Sequence, residues 1–93
     1  MQRLTENLIK DKLGNLKGWN LERNSILKEF ELKNFADALA FIVKIGIEAE
    51  KMDHHPDLLL HGWNKVKVTL STHSAAGITE NDFNLAQQIE KID

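Results

Sequence analysis

The stretch NFADALAFIVKIGIEAEKMDHHP, residues 34–56, decides the fold of this chain. Asn34 is a favourable N-cap, and Asp37 follows three residues later, where a carboxylate suits the first turn of a helix. Apolar residues then recur with steps of three and four, which predicts an amphipathic helix of about five turns. The members of this apolar stripe are Phe35, Ala38, Ile42, Ile45, Ala49 and Met52. The helix has to end before Pro56, because a proline disfavours helical backbone at the preceding residue, His55.

The same helix carries apolar side chains outside this stripe. Phe41 and Ile47 fall off it, so a second face of the helix could also be buried. A chain of 93 residues has few elements with which to cover two faces of one helix. The pattern therefore points to a partner subunit, while the stripe itself is expected to pack in the core rather than to hold a ligand.

The chain before the long helix predicts a first helix and a β-hairpin. Thr5 can cap the first helix, apolar residues follow at helical spacing, and Gly14 stands near its end. The next two segments are GWNLER, residues 18–23, and SILKEFEL, residues 25–32. The second segment alternates with the period of a strand, and the polar run Glu22-Arg23-Asn24-Ser25, where the two segments meet, suits a turn.

Beyond the proline, the pattern predicts two strands and a last helix. PDLLLHGW, residues 56–63, can form a short strand. WNKVKVTLSTH, residues 63–73, alternates cleanly between apolar and polar side chains. Gly77 interrupts the chain, and Thr79 with Asp82 resembles a capping box at the start of the last helix.

These elements together predict the fold class. Consecutive strands joined by tight turns favour an antiparallel sheet. Helices that cover one face of that sheet would make an α+β, two-layer fold, which we expect to be a single domain over residues 1–93. Trp19 and Trp63 are expected in its core, and His61 in an exposed loop.

Composition excludes several classes of protein. The chain has no cysteine, which rules out disulfides, thiol catalysis and thiolate metal sites. Twelve Lys and Arg residues against fourteen Asp and Glu residues give a net charge of −2, which is not typical of a nucleic-acid binder. No apolar run approaches the roughly 20 residues that span a membrane, and the first residues lack the apolar core of a secretion signal. We therefore expect a cytoplasmic protein with no nucleic-acid or membrane partner.

Histidines and carboxylates share one short window of the chain. The window contains Glu50, Asp53, His54, His55, Asp57, His61 and His73. Histidine gives and takes protons near neutral pH, so the window is a candidate acid–base site. Glu50 and His54 stand four residues apart and can meet on a helix. His73 ends a predicted strand, directly after the hydroxyls of Ser71 and Thr72.

Two other interpretations of this window stay open. A helix end with acidic and histidine residues is often simply exposed surface. A metal site would use His54, His55, His73 and Asp53, although adjacent histidines are a poor pair of ligands. Asp82 also has a purely structural explanation, because a carboxylate in the first turn of a helix is favoured for capping alone.

The motifs together resemble those of the pterin-4a-carbinolamine dehydratase family. The resemblance rests on EKMDHHP at 50–56, WNKV at 63–66, LSTH at 70–73, and Gly77-Ile78-Thr79 with Asp82. Gly18-Trp19 and the start of the helix at Phe35 are also similar, so the resemblance extends from about residue 4 to residue 92. It implies a four-stranded antiparallel sheet with three helices on one face. It also implies a homodimer or homotetramer that uses the extra apolar surface of the long helix.

The resemblance further implies a reaction. Members of this family dehydrate 4a-hydroxytetrahydropterin to quinonoid dihydropterin after aromatic amino-acid hydroxylases have used the pterin. That chemistry needs an acid and a base but no cofactor or metal. The family's catalytic histidines correspond to His54, His55 and His73; the first and third would form the acid–base pair, in an order that stays open, and His55 would orient the pterin.

The pterin contacts are implied in the same way. They correspond to Glu50, Asp53, His54, His55, Ser71, Thr72, His73 and Ser74. Asp82 matches the family's acidic position and would orient His73. Two features depart from the family pattern: Ser74 stands where animal members carry Glu or another polar residue, and residues 56–63 are one residue longer than the common form.

Two non-enzymatic alternatives accompany the dehydratase hypothesis. Animal members of the family also act as dimerisation partners of a homeodomain transcription factor, although nothing in this sequence indicates such a partner. The chain could also be an idle paralogue that binds pterin without turning it over.

Overall fold

The computed structural model describes residues 2–92, which form three α-helices and four strands. In chain order they are α1 (Glu6–Leu13), β1 (Asn20–Glu22), β2 (Ser25–Glu31), α2 (Phe35–Met52), β3 (Asp57–His61), β4 (Lys65–Leu70) and α3 (Glu80–Glu90). A short 3-10 helix, His73–Ala75, lies between β4 and α3. The sheet has the order β1-β2-β4-β3 with every pairing antiparallel. The predicted α+β fold is confirmed. The predicted domain also includes Met1 and Asp93, which lie outside the described residues.

Alternation along the central strand positions the core. Val66, Val68 and Leu70 of β4 have no exposed surface, whereas the residues between them are half-buried. Side chains of a strand alternate between the two faces of the sheet, so one face of β4 packs against the helices. None of the helices in residues 2–92 is long and apolar enough to cross a membrane.

The long helix α2 begins as predicted but buries a slightly different stripe. The Asn34 side chain accepts a hydrogen bond from the Asp37 backbone N–H at 2.8 Å. The buried residues are Ala38, Phe41, Ile45 and Ala49. Phe41 therefore belongs to the core, where its ring lies 4.9 Å from that of Phe30, centroid to centroid. The prediction for Phe35 is wrong: it is the first residue of the helix and 51% exposed, so the buried stripe starts one turn later.

Two predictions for the β3–β4 hairpin are also wrong. Trp63 is 63% exposed, because it lies in the tight turn between the strands rather than in a strand. Both Gly62 and Trp63 have positive φ there, 55° and 61°. His61 is the last residue of β3, not part of a loop, and its Nε2 pairs with Glu29 on the outer face of the sheet. Trp19, by contrast, is buried as predicted.

The segment between β4 and α3 brings a compact loop to the end of the sheet. Thr72 and Gly77 exchange two backbone hydrogen bonds, of 2.8 and 3.3 Å, around the 3-10 helix. The helix α3 then starts with the predicted capping box between Thr79 and Asp82. These caps place Asp82 directly behind the loop that carries His73.

Candidate active site

Two elements bring most of the predicted site residues to one cavity. The cavity has a volume of about 260 Å³ and lies between the end of α2 and the chain that follows β4. It is lined by Asp53, His54, His55, Ser71, Thr72, His73 and Ser74. Glu50 is the one predicted contact that does not line it.

The end of α2 determines how the adjacent histidines diverge. Asp53 caps the helix in the left-handed conformation, with φ 50° and ψ 46°. Aspartate tolerates this conformation better than most residues with a Cβ. The turn comes three residues before Pro56. After it, His54 is buried, whereas the side chain of His55 keeps 66% of its surface exposed.

His54 is bonded to a buried carboxylate. Its Nε2 lies 2.6 Å from Oδ1 of Asp82, which has no exposed surface. Oδ2 of Asp82 accepts two further hydrogen bonds, from the Thr72 hydroxyl and from the Thr79 backbone N–H, both at 2.9 Å. An ionised carboxylate can only accept hydrogen bonds, so with Asp82 ionised the proton of the His54–Asp82 bond belongs to Nε2. In the neutral imidazole, Nδ1 is then the basic nitrogen.

The hydroxyls around Asp82 have one consistent arrangement of protons. Because Thr72 Oγ1 donates to Asp82, it accepts from Thr79 Oγ1 at a distance of 2.8 Å. Thr79 Oγ1 in turn accepts from the backbone N–H of Asn81 at 3.3 Å. Within residues 2–92, no buried side-chain nitrogen or oxygen lacks a hydrogen-bond partner. The network therefore holds His54 in one orientation and one tautomer.

Two predicted pairings differ from the observed ones. Glu50 bonds His55 rather than His54: its Oε1 lies 3.0 Å from Nε2 of His55. The left-handed turn at Asp53 takes His54 off the helix, so the expected spacing of four residues no longer applies. Asp82 likewise bonds His54 and not His73. The predicted orientation of His73 by Asp82 is therefore wrong.

His73 contrasts with the other two histidines. It is exposed, and its imidazole makes no hydrogen bond or ion pair with any residue from 2 to 92. Its position depends on the backbone of the loop. The cavity thus combines a fixed, buried imidazole with one that faces solvent.

Sequence reasoning missed Thr79 as part of this site. Its place in a capping box was recognisable, and that motif explains its backbone bond to Asp82. Its hydroxyl bond to Thr72 joins two segments that no local motif relates. No group of three or more His, Asp or Glu side chains in the described part of the chain has the geometry to hold a metal ion.

Comparison with known proteins identifies the family of this chain. The family model described as "Pterin 4 alpha carbinolamine dehydratase" matches residues 2–92. A relative from Sulfolobus acidocaldarius, named "Putative pterin-4-alpha-carbinolamine dehydratase", is 49% identical over 90 residues, which cover 97% of this chain and 98% of the relative.

Two solved structures share the fold. The crystal structure of a transcriptional coactivator/pterin dehydratase from Brucella melitensis superposes with a TM-score of 0.90 at 37% identity, covering 96% of each chain. A pterin dehydratase-like protein, identified as a RuBisCO assembly factor in the alpha-carboxysome, has a TM-score of 0.62 at 19% identity over 77% of this chain and 82% of its own. The second likeness concerns the fold alone. The family match and the close relatives show that this chain belongs to the pterin-4-alpha-carbinolamine dehydratase family.

Proposed function

We propose that this protein dehydrates a 4a-hydroxytetrahydropterin to the quinonoid dihydropterin, one step in recycling the pterin used by aromatic amino-acid hydroxylases; a separate two-electron reduction returns the product to the tetrahydropterin. The observation that carries the proposal is the presence of two differently held imidazoles in one cavity. His54 is buried against Asp82, and His73 is exposed without a partner among the described residues. Groups in such contrasting environments are suited to opposite proton transfers.

The reaction requires two proton transfers around one broken bond. The bond between C4a and its hydroxyl oxygen breaks, and the oxygen needs a proton to leave as water. The adjacent ring nitrogen loses a proton, and the electron pair of that N–H bond forms the C=N double bond of the product. Positioned acids and bases typically accelerate such steps by about 10²–10⁴-fold.

We assign the role of base to His54 and that of acid to His73. With its Nε2 proton donated to Asp82, His54 has Nδ1 available to accept the proton of the ring nitrogen. The imidazolium that forms is stabilised by the buried carboxylate, as in other histidine–aspartate pairs. His73 faces solvent, from which it can recover the proton that it gives to the leaving hydroxyl.

We further propose that the polar groups around these histidines hold the pterin. His55 would orient the ring or its hydroxyl, and Glu50 would hold His55 through their 3.0 Å contact. Asp53, Ser71, Thr72 and Ser74 line the same cavity and offer hydrogen bonds to the polar edge of a pterin. No resident cofactor enters this scheme, because the pterin is the substrate.

The activity is tested by following the breakdown of the carbinolamine that a phenylalanine hydroxylase releases, with and without the purified protein. We expect the protein to accelerate this step well above its spontaneous rate. Tight pterin binding without acceleration would instead identify an idle pterin-binding paralogue. A protein that neither binds the pterin nor accelerates its breakdown would favour the interpretation as an interaction module.

We also propose that the protein is a homodimer or homotetramer joined through the outer face of α2. Four apolar side chains, each one turn apart, form a ridge along this face. They are Phe35, Leu39, Val43 and Ile47, with exposed fractions of 51, 47, 62 and 52%. A continuous apolar ridge of this length on a helix is typical of a surface that packs against another helix. A second copy of the chain presents the same ridge and can cover it.

Sedimentation of the wild type and of a Val43→Glu variant tests this assembly. We expect a dimer or tetramer for the wild type and a smaller species for the variant, because a buried carboxylate without a partner strongly disfavours association. Glu48→Ala, on the same helix but outside the ridge, is the control. A monomeric wild type would refute the proposed assembly.

A further inference from the structure

His73 belongs to a short loop whose closure is local. Thr72 and Gly77 bond each other through their backbones. Inside this closure, the backbone N–H groups of Ala75 and Ala76 donate to the carbonyls of Thr72 and His73, each at 3.1 Å. We call residues 72–77 the His73 loop. Because the His73 imidazole has no partner within residues 2–92, this loop alone determines where that imidazole lies.

The segment before α1 lies against the back of the His73 loop. The backbone N–H of Leu4 donates to the carbonyl of Ile78 at 2.8 Å, directly after the loop. Nη1 of Arg3 lies 3.5 Å from the carbonyl oxygen of Ala76, at the long end of hydrogen bonding. Both contacts come from residues more than seventy positions away along the chain.

The side chain of Arg3 also lies close against the backbone of Gly77. A Cβ built on Gly77 would lie 2.3 Å from Cδ and 2.9 Å from Cγ of Arg3, and these are far inside normal contact. The backbone does not require glycine there, because Gly77 is not among the glycines with positive φ. The Arg3 side chain therefore packs directly on the backbone of the loop.

We propose that Arg3 is a positioning residue for His73: its side chain packs on Gly77 and holds the His73 loop in place. This inference rests on the proposed function, since it concerns a residue of the proposed active site. Arg3 does not line the cavity of that site. It lines a separate cavity of about 160 Å³ behind the loop, together with Arg23 and Gly77. Any effect of Arg3 on catalysis is therefore transmitted through the loop.

The kinetic test compares Arg3→Ala, Gly77→Ala and the double variant. We expect each single change to lower kcat about tenfold, because misplacing a catalytic group by about 1 Å can cost up to about 10²-fold. KM should change by less than about twofold, since an acid that acts in the transition state affects kcat rather than substrate binding. The double variant should be no slower than either single variant, because both changes remove one and the same contact.

Two controls separate positioning from loss of folding or charge. Arg3→Lys keeps the aliphatic part of the side chain over Gly77 and should restore most of kcat. Arg23→Ala removes a guanidinium from the same rear cavity but makes no bond to the loop, so its kcat should equal that of the wild type. The midpoint of thermal unfolding should fall by less than about 5 °C in the Arg3 variants.

A second readout does not depend on turnover. In ¹H–¹⁵N spectra, Arg3→Ala should broaden or shift the signals of residues 73–77 and of the His73 ring, while the His54 ring stays unchanged. This result would support the positioning role even if the protein proved not to be a dehydratase. Unchanged loop signals would overturn the proposal. So would additive losses of kcat in the two single variants, or a kcat for Arg3→Ala equal to that of the wild type.

Discussion

The Nε2 atom of His54 lies 2.6 Å from Oδ1 of Asp82, a carboxylate with no exposed surface. The two residues lie 28 positions apart: His54 directly follows the C-cap of α2, and Asp82 is in the first turn of α3. The same carboxylate closes the capping box of α3 and accepts from the Thr72 hydroxyl. One buried charge thus links a structural cap to the orientation of a proposed catalytic base.

Replacing Asp82 by asparagine should separate these two roles. The asparagine side chain keeps the shape of the aspartate but can donate its amide protons to His54, which would favour the tautomer with the proton on Nδ1. We therefore expect kcat to fall by about 10²–10⁴-fold, the range that one acid or base contributes. Steady-state kinetics measure the loss, and the circular dichroism spectrum shows whether the fold persists. A folded variant with the full wild-type kcat would show that Asp82 does not orient the base.

Replacing Thr72 by valine should lower stability. Valine has the same shape but removes the donor to Asp82 and the acceptor for Thr79. Leaving buried polar groups unsatisfied costs about 1–3 kcal/mol each, so the free energy of unfolding should fall by that order. Urea denaturation measures the change. Thr69→Val on β4, at a half-buried position, is a matched control that should change stability by less than about 0.5 kcal/mol.

Replacing Asp53 by glycine should affect binding more than stability. Glycine adopts the left-handed conformation at this helix end without strain, so the free energy of unfolding should change by less than about 1 kcal/mol. The carboxylate that lines the cavity is lost, so pterin binding should weaken. Calorimetric titration with a pterin analogue measures the affinity. Asp53→Val tests the conformational argument, because a β-branched residue in this conformation should destabilise the fold clearly more than glycine does.

Local patterns predicted the caps and strands well. The caps at Asn34 and Thr79 depend on residues within a few positions of each other, and both were confirmed. Phe35 and Trp63 were assigned wrongly, because burial depends on which elements pack together and on where a turn falls. The periodicity of apolar residues describes a single segment. It does not report which elements pack together or where a turn falls.

The pairings within the site could not be predicted by spacing. Glu50 and His54 have the spacing of helical neighbours, but the left-handed residue Asp53 ends the helix between them and transfers the contact to His55. The bond between His54 and Asp82 depends on how α2 and α3 pack, which no local motif encodes. The resemblance to the family indicated that the histidines converge, but the pairing that it implied, Asp82 with His73, is wrong.

The most direct test of the account compares three histidine variants in the carbinolamine dehydration assay. His54→Ala and His73→Ala remove the proposed base and acid, whereas His61→Ala removes a histidine that lies outside the cavity and pairs with Glu29. We predict that the first two variants, while still folded, lose about 10²–10⁴-fold in kcat and that the third keeps the wild-type rate. Full activity of both His54→Ala and His73→Ala would contradict the proposed acid–base pair.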